Sequence, residues 1–164
     1  MKKGFTIIEI VVVVGIMLIL LAIAFTSVRM ANDSMSAKTH EEIYTAIMSA
    51  ARRARYGVNN CDWGVYFVYN PITKQASQYI IYCGENYAGR QQDEDITTNI
   101  DDSILFSNIS LNNVLPYIGD GNEITFEYLT GSPHQIGSIE LSTQAGISTI
   151  TIDDFGFTSI DYVQ

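Results

Sequence analysis

The residues of this chain able to do chemistry are few and scattered. Cys61 and Cys83 are its two thiols. Neither belongs to a CxxC pair, so the redox-active and zinc-binding spacings are absent. In an exported chain an even cysteine count reads as one disulfide. Closing the 23-residue stretch from Cys61 to Cys83 would then contribute about 3 kcal/mol through chain entropy; the alternative is a pair of reduced, buried thiols. His40 and His134 stand far apart, offer no Ser/His/Asp or Cys/His arrangement, and read as polar surface positions. Asp93-Glu94-Asp95 and Asp101-Asp102 could lend oxygen ligands to Ca²⁺. An EF-hand, however, alternates its ligands around a central Gly, a spacing missing here, and solvated loop acids are the simpler reading. No Walker loop, dinucleotide fingerprint or HExxH helix occurs. The expectation is a chain without cofactor or metal, and not an enzyme.

One titratable residue is out of place. Phe5 to Val28 is a 24-residue apolar run whose single charge is Glu9, and Met1-Lys2-Lys3-Gly4 stands ahead of it. As a helix the run spans about 36 Å, enough to cross the hydrocarbon layer. Lys2 and Lys3 would keep its start on the cytoplasmic side. A cleaved secretory leader competes, since Ala22-Ile23-Ala24 offers a small-x-small site. Yet Gly4 precedes the run instead of following it. A carboxylate within such a run is costly unless paired, which makes it a functional candidate. A discarded leader or a lone anchor leaves Glu9 without a purpose.

The order Lys2-Lys3-Gly4-Phe5-Thr6-Ile7-Ile8-Glu9, followed by the apolar stretch, closely resembles the type III signal of type IV prepilins and pseudopilins. The resemblance implies that a prepilin peptidase cuts between Gly4 and Phe5 and N-methylates Phe5. It also implies that Glu9 pairs with the terminal ammonium of a neighbouring subunit during filament assembly. The partners implied are other pilins or pseudopilins, the peptidase and an inner-membrane assembly platform. The implied location is a single pass through the bacterial inner membrane, with the head outside. Electrostatics agrees with the implied pairing, because stranding one member of a buried ion pair costs about 3–5 kcal/mol.

The elements that would position these residues follow from periodicity. Ile43, Ile47, Ala50, Ala51 and Ala54 recur at helical spacing and form one apolar stripe. No Pro or Gly occurs from Ile16 to Tyr56. One helix from about Phe5 to Tyr56 is therefore predicted, about 78 Å long, ended by Gly57 with Asn59 and Asn60 as turn formers. Arg52, Arg53 and Arg55 complement its C-terminal dipole. Beyond it, strands are expected at Trp63–Tyr69 and Gln78–Cys83, a hairpin around Asn70-Pro71-Ile72-Thr73-Lys74 whose open end a Cys61–Cys83 bridge would clamp. Further strands are expected at Glu123–Tyr128, Ser138–Ser142, Ser148–Ile152 and Phe157–Tyr162, with Gln144-Ala145-Gly146 among the turns. Gly84 to Ser103 reads as a long acidic loop. Ile104 to Ile118 reads as a short strand near Leu105 and otherwise as loop. Trp63, Tyr66, Phe67 and Tyr69 read as sheet and core packing. The fold class is α+β: a long N-terminal helix packed on an antiparallel β-sheet head.

The divisions are then a leader (1–4), an apolar half-helix (5–28), an amphipathic half-helix (29–56) and a β-rich head (57–164). That order is similar to the type IV pilin fold. The alanine- and arginine-rich stretch Ala50 to Arg55 leading into Gly57-Val58 looks like the H-type pseudopilin and FimT-like minor pilin group, as does the closing series of strands. The chain carries a net charge of -9, and residues 57–164 alone carry two basic against fourteen acidic side chains, a net of -12. Such a head repels phosphate backbones, which disfavours nucleic-acid binding and a DNA-uptake role. A minor pilin or pseudopilin of a pilus-like or type II secretion filament is expected, with a major pilin of the shaft as the alternative.

Overall fold

The computed structural model describes residues 7–100, 104–117, 119–143, 146–156 and 158–163, with positions 22–39, 143, 162 and 163 as backbone alone. The leader 1–4, Phe5, Asp101, Asp102, Ile118, Phe157 and the Gln144-Ala145 part of one expected turn lie outside the described residues. The chain divides into two compact units, Met1–Met35 and Ser36–Gln164.

Helix α1 (Ile7–Arg55) is 49 residues long. Its end is chemically specified. Gly57 sits at φ 65°, a left-handed backbone that glycine adopts without steric penalty. The Gly57 N–H donates to the Ala54 carbonyl at 3.0 Å, and the same carbonyl accepts the Leu129 N–H at 2.9 Å. The helix end is thus tied to a distant loop of the head. Asn59 and Asn60 continue in the left-handed region at φ 57° and 53°, where asparagine is enriched among non-glycine residues.

Eight strands follow: β1 (Trp63–Asn70), β2 (Gln75–Cys83), β3 (Gln91–Asn99), β4 (Leu105–Asn113), β5 (Glu123–Phe126), β6 (Gln135–Thr143), β7 (Gly146–Ile152) and β8 (Thr158–Val163). They form one antiparallel sheet in the order β5-β1-β2-β4-β6-β7-β8, with β3 also paired to β2. The architecture is α+β. The expected β1–β2 hairpin forms around Asn70, whose carboxamide oxygen accepts the Ile72 N–H at 2.9 Å, an Asx turn.

Two expectations are corrected. Gly84 to Ser103 is not one long loop, because β3 occupies much of it. The strand lacks apolar alternation since it is held through its backbone along β2, from Gln78↔Asn99 to Cys83↔Gln91. Its acids Asp93, Glu94 and Asp95 fall where the register shifts between Ile81 and Cys83, as charges and bulges commonly do on edge strands. Second, the strand near Leu105 is not short: β4 pairs with β6 from Leu105↔Ser142 to Asn113↔Gln135. A bulge between Phe106 and Asn108 reverses the parity of its inward residues, from Ile104 and Phe106 to Ile109 and Leu111. A strict period of two cannot follow that change.

The core lies between α1 and the sheet. Ile43, Ile47, Ala50 and Ala54 are fully buried, in one cluster with Trp63, Val65, Phe67, Phe106, Ile139 and Leu141. The alanines keep the helix surface low, and the bulk comes from aromatic and branched side chains on the strands. Ile47 sits at the centre of that stripe. Ile47→Ala should destabilise the full chain in detergent by about 2–4 kcal/mol, read as a lower midpoint in denaturant or heat; a variant melting with the parent would contradict this packing.

Candidate functional site

The described part of the apolar run is a helix surface with one charge. Every large apolar side chain from Ile7 to Leu21 is exposed, Ile7 to 84% and Val14, the least, to 50%. Soluble monomers rarely leave so continuous an apolar surface uncovered. Glu9 lies in the first turn of α1 and is exposed on the same surface. Among the described residues no helix is long and apolar enough to cross a membrane; side chains of the run are described from Ile7 only as far as Leu21. Gly4 and Phe5, the expected processing residues, lie outside the described residues, so Glu9 alone of the N-terminal set is seen.

The thiols belong to a separate, head-based feature. Cys61 and Cys83 form a disulfide with Cα atoms 5.8 Å apart. Cys83 closes β2 opposite Trp63, the first residue of β1, so the bridge fastens the open end of that hairpin. The Gly84 N–H donates to the Asp62 carbonyl at 2.9 Å beside it, and the Trp63 indole N–H donates to the Val58 carbonyl at 2.8 Å. Arg53 lies over the Trp63 ring at 4.7 Å, a cation–π contact joining the helix end to the same corner.

The histidines require a correction, since neither is a surface position. His40 is 4% and His134 1% exposed. His40 falls on the helix face turned to the head, and His134 is covered by Tyr117, whose ring stacks on it at 3.4 Å. Burial holds the pKa of both below the ordinary 6.5. At His134 the carboxylates of Asp62, Glu127 and Glu85 pull the other way, Asp62 Oδ2 lying 3.8 Å from Nε2. The described residues hold no cluster of metal-ligating side chains.

A buried polar group was not legible in the sequence. Glu123 is 2% exposed and accepts the Tyr82 hydroxyl at 2.9 Å and the Tyr87 N–H at 2.7 Å. Tyr82 also meets the Thr125 hydroxyl at 2.6 Å. Burial first, and then the Glu123 charge, push the Tyr82 hydroxyl well above its usual pKa. Tyr87 in turn stacks on Tyr66 at 3.7 Å and receives the Arg90 guanidinium over its other side at 3.7 Å. Tyr66 therefore serves this outer face of the sheet, whereas Trp63 and Phe67 serve the core. The group positions the loop after Cys83.

Compared with known protein families, residues 1–25 match the prokaryotic N-terminal methylation motif. No curated protein and no solved structure matches the chain.

The bridge and the histidines each give a measurable outcome. Cys61→Ser with Cys83→Ser should lower the stability of the full chain by about 3 kcal/mol, seen as a denaturation midpoint that reductant no longer shifts; equal stability with and without reductant in the parent would count against it. For the imidazoles, the unfolded chain takes up protons first, because both folded pKa values lie below 6.5. Stability should be level above that pH and decline below it, towards the lowered folded values. His134→Gln should flatten part of the decline in pH-dependent melts; an unaltered slope would show that this imidazole is not held neutral by burial.

Proposed function

We propose, from the premise that the methylation motif of residues 1–25 marks this chain as type IV pilin-like or a pseudopilin, that it is a minor pilin or pseudopilin, a structural subunit and not an enzyme. Its leader, residues 1–4, is removed by a prepilin peptidase between Gly4 and Phe5, and Phe5 is N-methylated. The run Phe5 to Val28 holds the subunit in the inner membrane until an assembly platform moves it into a pilus-like or type II secretion filament, with its head outside. Its neighbours there are other pilins or pseudopilins. The finer grouping with H-type pseudopilins and FimT-like minor pilins rests on the Ala50 to Arg55 stretch leading into Gly57.

The observation that supports this reading best is Glu9, the one charge on an exposed apolar helix surface. A carboxylate among hydrocarbon is stable only with a positive partner. Removal of the leader creates such a group, a free ammonium, on every subunit. Pairing it with Glu9 of a neighbour neutralises both and fixes the stagger between helices.

The disulfide at Cys61 and Cys83 suits the same reading, because a head exposed to an oxidising compartment can keep it. The mature chain should begin with methylated Phe5 on N-terminal sequencing, and Glu9→Leu should leave it in the membrane while removing it from sheared filaments by tenfold or more. A mature start near Phe25, or normal filament entry by Glu9→Leu, would end this reading.

A further inference from the structure

The end of α1 in the head unit holds an anomaly of charge. Residues 57–164 carry a net of -12, so a cation beside them has many carboxylates to choose from. Arg90 takes one, Asp95, at 2.8 Å, and Arg53 lies over the Trp63 ring. Arg52 and Arg55 do neither, and among the described residues no carboxylate stands within ion-pairing distance of them. Each sets its Nε on a backbone carbonyl, Met48 at 3.3 Å and Thr130 at 3.4 Å. The outer nitrogens of both guanidinium groups make no hydrogen bond among the described residues. Three positions apart on one helix, the two like charges are neighbours and oppose each other.

Both arginines line one concavity of about 320 Å³, at the small end of the volumes that hold ligands. Tyr44 and Met48 continue the helix side of its lining, while Phe155 and Thr158 come from the turn into β8 and from β8 itself. The Phe155 ring is 77% exposed. Its turn is braced by Asp153, whose Oδ1 accepts the Phe155 N–H and whose carbonyl accepts the Gly156 N–H, each at 3.0 Å. The Tyr44 hydroxyl donates to the Thr158 carbonyl at 3.2 Å, which ties the two sides together. The Thr158 hydroxyl is buried without a hydrogen-bond partner among the described residues, and folded proteins leave few such groups unmatched. One small concavity thus gathers two uncompensated cations, an orphaned hydroxyl and an uncovered ring.

We propose that this groove binds the C-terminal residue of a partner peptide, with Arg52 and Arg55 on its carboxylate and with Met48 and Phe155 on its apolar side chain. A terminal residue carries both groups on one carbon, which suits so small a concavity. Guanidinium groups meet a carboxylate through parallel N–H donors. The carbonyl end of α1 by itself disfavours an anion, so binding depends on the two side chains. A polyanion fits poorly, because Asp153 and Asp154 are exposed on the turn that carries Phe155 and the acidic head repels it as a whole. An anion without an apolar body leaves the Phe155 ring uncovered. Such binding does not require the filament reading, since every residue it uses lies in the head unit.

The test titrates full-length, disulfide-bonded chain in phosphatidylcholine vesicles with N-acetyl-phenylalanine, followed by calorimetry. Saturable binding is expected, about tenfold or more tighter than that of N-acetyl-phenylalaninamide, which lacks the charge, or of acetate, which lacks the ring. Arg52→Gln/Arg55→Gln should weaken it by about tenfold or more. Arg52→Lys/Arg55→Lys should recover only part of that loss, because an ammonium group is not a planar fork. A second readout needs no variant. On irradiation, N-acetyl-4-benzoylphenylalanine should attach to peptides containing Met48 or Phe155, and excess N-acetyl-phenylalanine should suppress the adduct. Equal binding of the amide, parent-like binding by the folded glutamine variant, or adducts confined to other peptides overturns the proposal. Tighter binding of phenyl phosphate or of a single-stranded oligonucleotide, lost in the same variant, overturns the assignment of a peptide carboxylate.

Discussion

A carboxylate on an apolar helix surface is the constraint around which this protein is arranged. Glu9 shares its surface with large exposed aliphatic side chains from Ile7 onward, and such a surface requires a cover of lipid or of other helices. In either cover an ionised carboxylate needs a positive partner, or its desolvation outweighs what the neighbouring aliphatic groups gain. The same feature serves two stages of the proposed life of the chain. In that proposal the apolar surface would retain the subunit before assembly, and the charge would select neighbour and stagger during it.

The head unit is built to hold the far end of α1 rigidly. Its stripe is made largely of alanine, so β-strand side chains such as Trp63, Phe67 and Phe106 fill the volume between helix and sheet. Three ties converge where the helix stops: the Ala54 carbonyl receives both Gly57 and Leu129, Arg53 covers Trp63, and the Cys61–Cys83 bridge fastens the strands beside them. The second polar group, around Glu123 and Tyr82, orders the outer face of the same strands by hydrogen bonds that leave its buried carboxylate satisfied.

Charge is divided along the same lines. Acids outnumber bases in the head, and its few cations differ in their contacts. Arg90 and Arg53 stabilise the unit internally through Asp95, Tyr87 and Trp63. Arg52 and Arg55 line a groove with Tyr44, Met48 and Phe155 instead, at the helix end whose dipole they complement.

The N-terminal motif, the long helix, its stop at Gly57 and the β1–β2 hairpin can all be read from residue order alone. Each of these is local: a helix period, a glycine that can turn left-handed, or a turn tetrad between two apolar runs is complete within a few residues. Glu9 was legible for the same reason, as one charge in an uncharged run. Features that depend on partners distant in the chain emerge from packing. Strand β3 exists because the backbone of β2 offers it an edge, although its own side chains carry no strand pattern. Strand β4 kept its length across a bulge that reverses which residues face inward. His40 and His134 became interior because elements far along the chain closed over them, which no spacing around a histidine records. Residues within a turn or a helical stripe encode their own neighbours, whereas a surface assembled from several elements is fixed by the packing that brings them together.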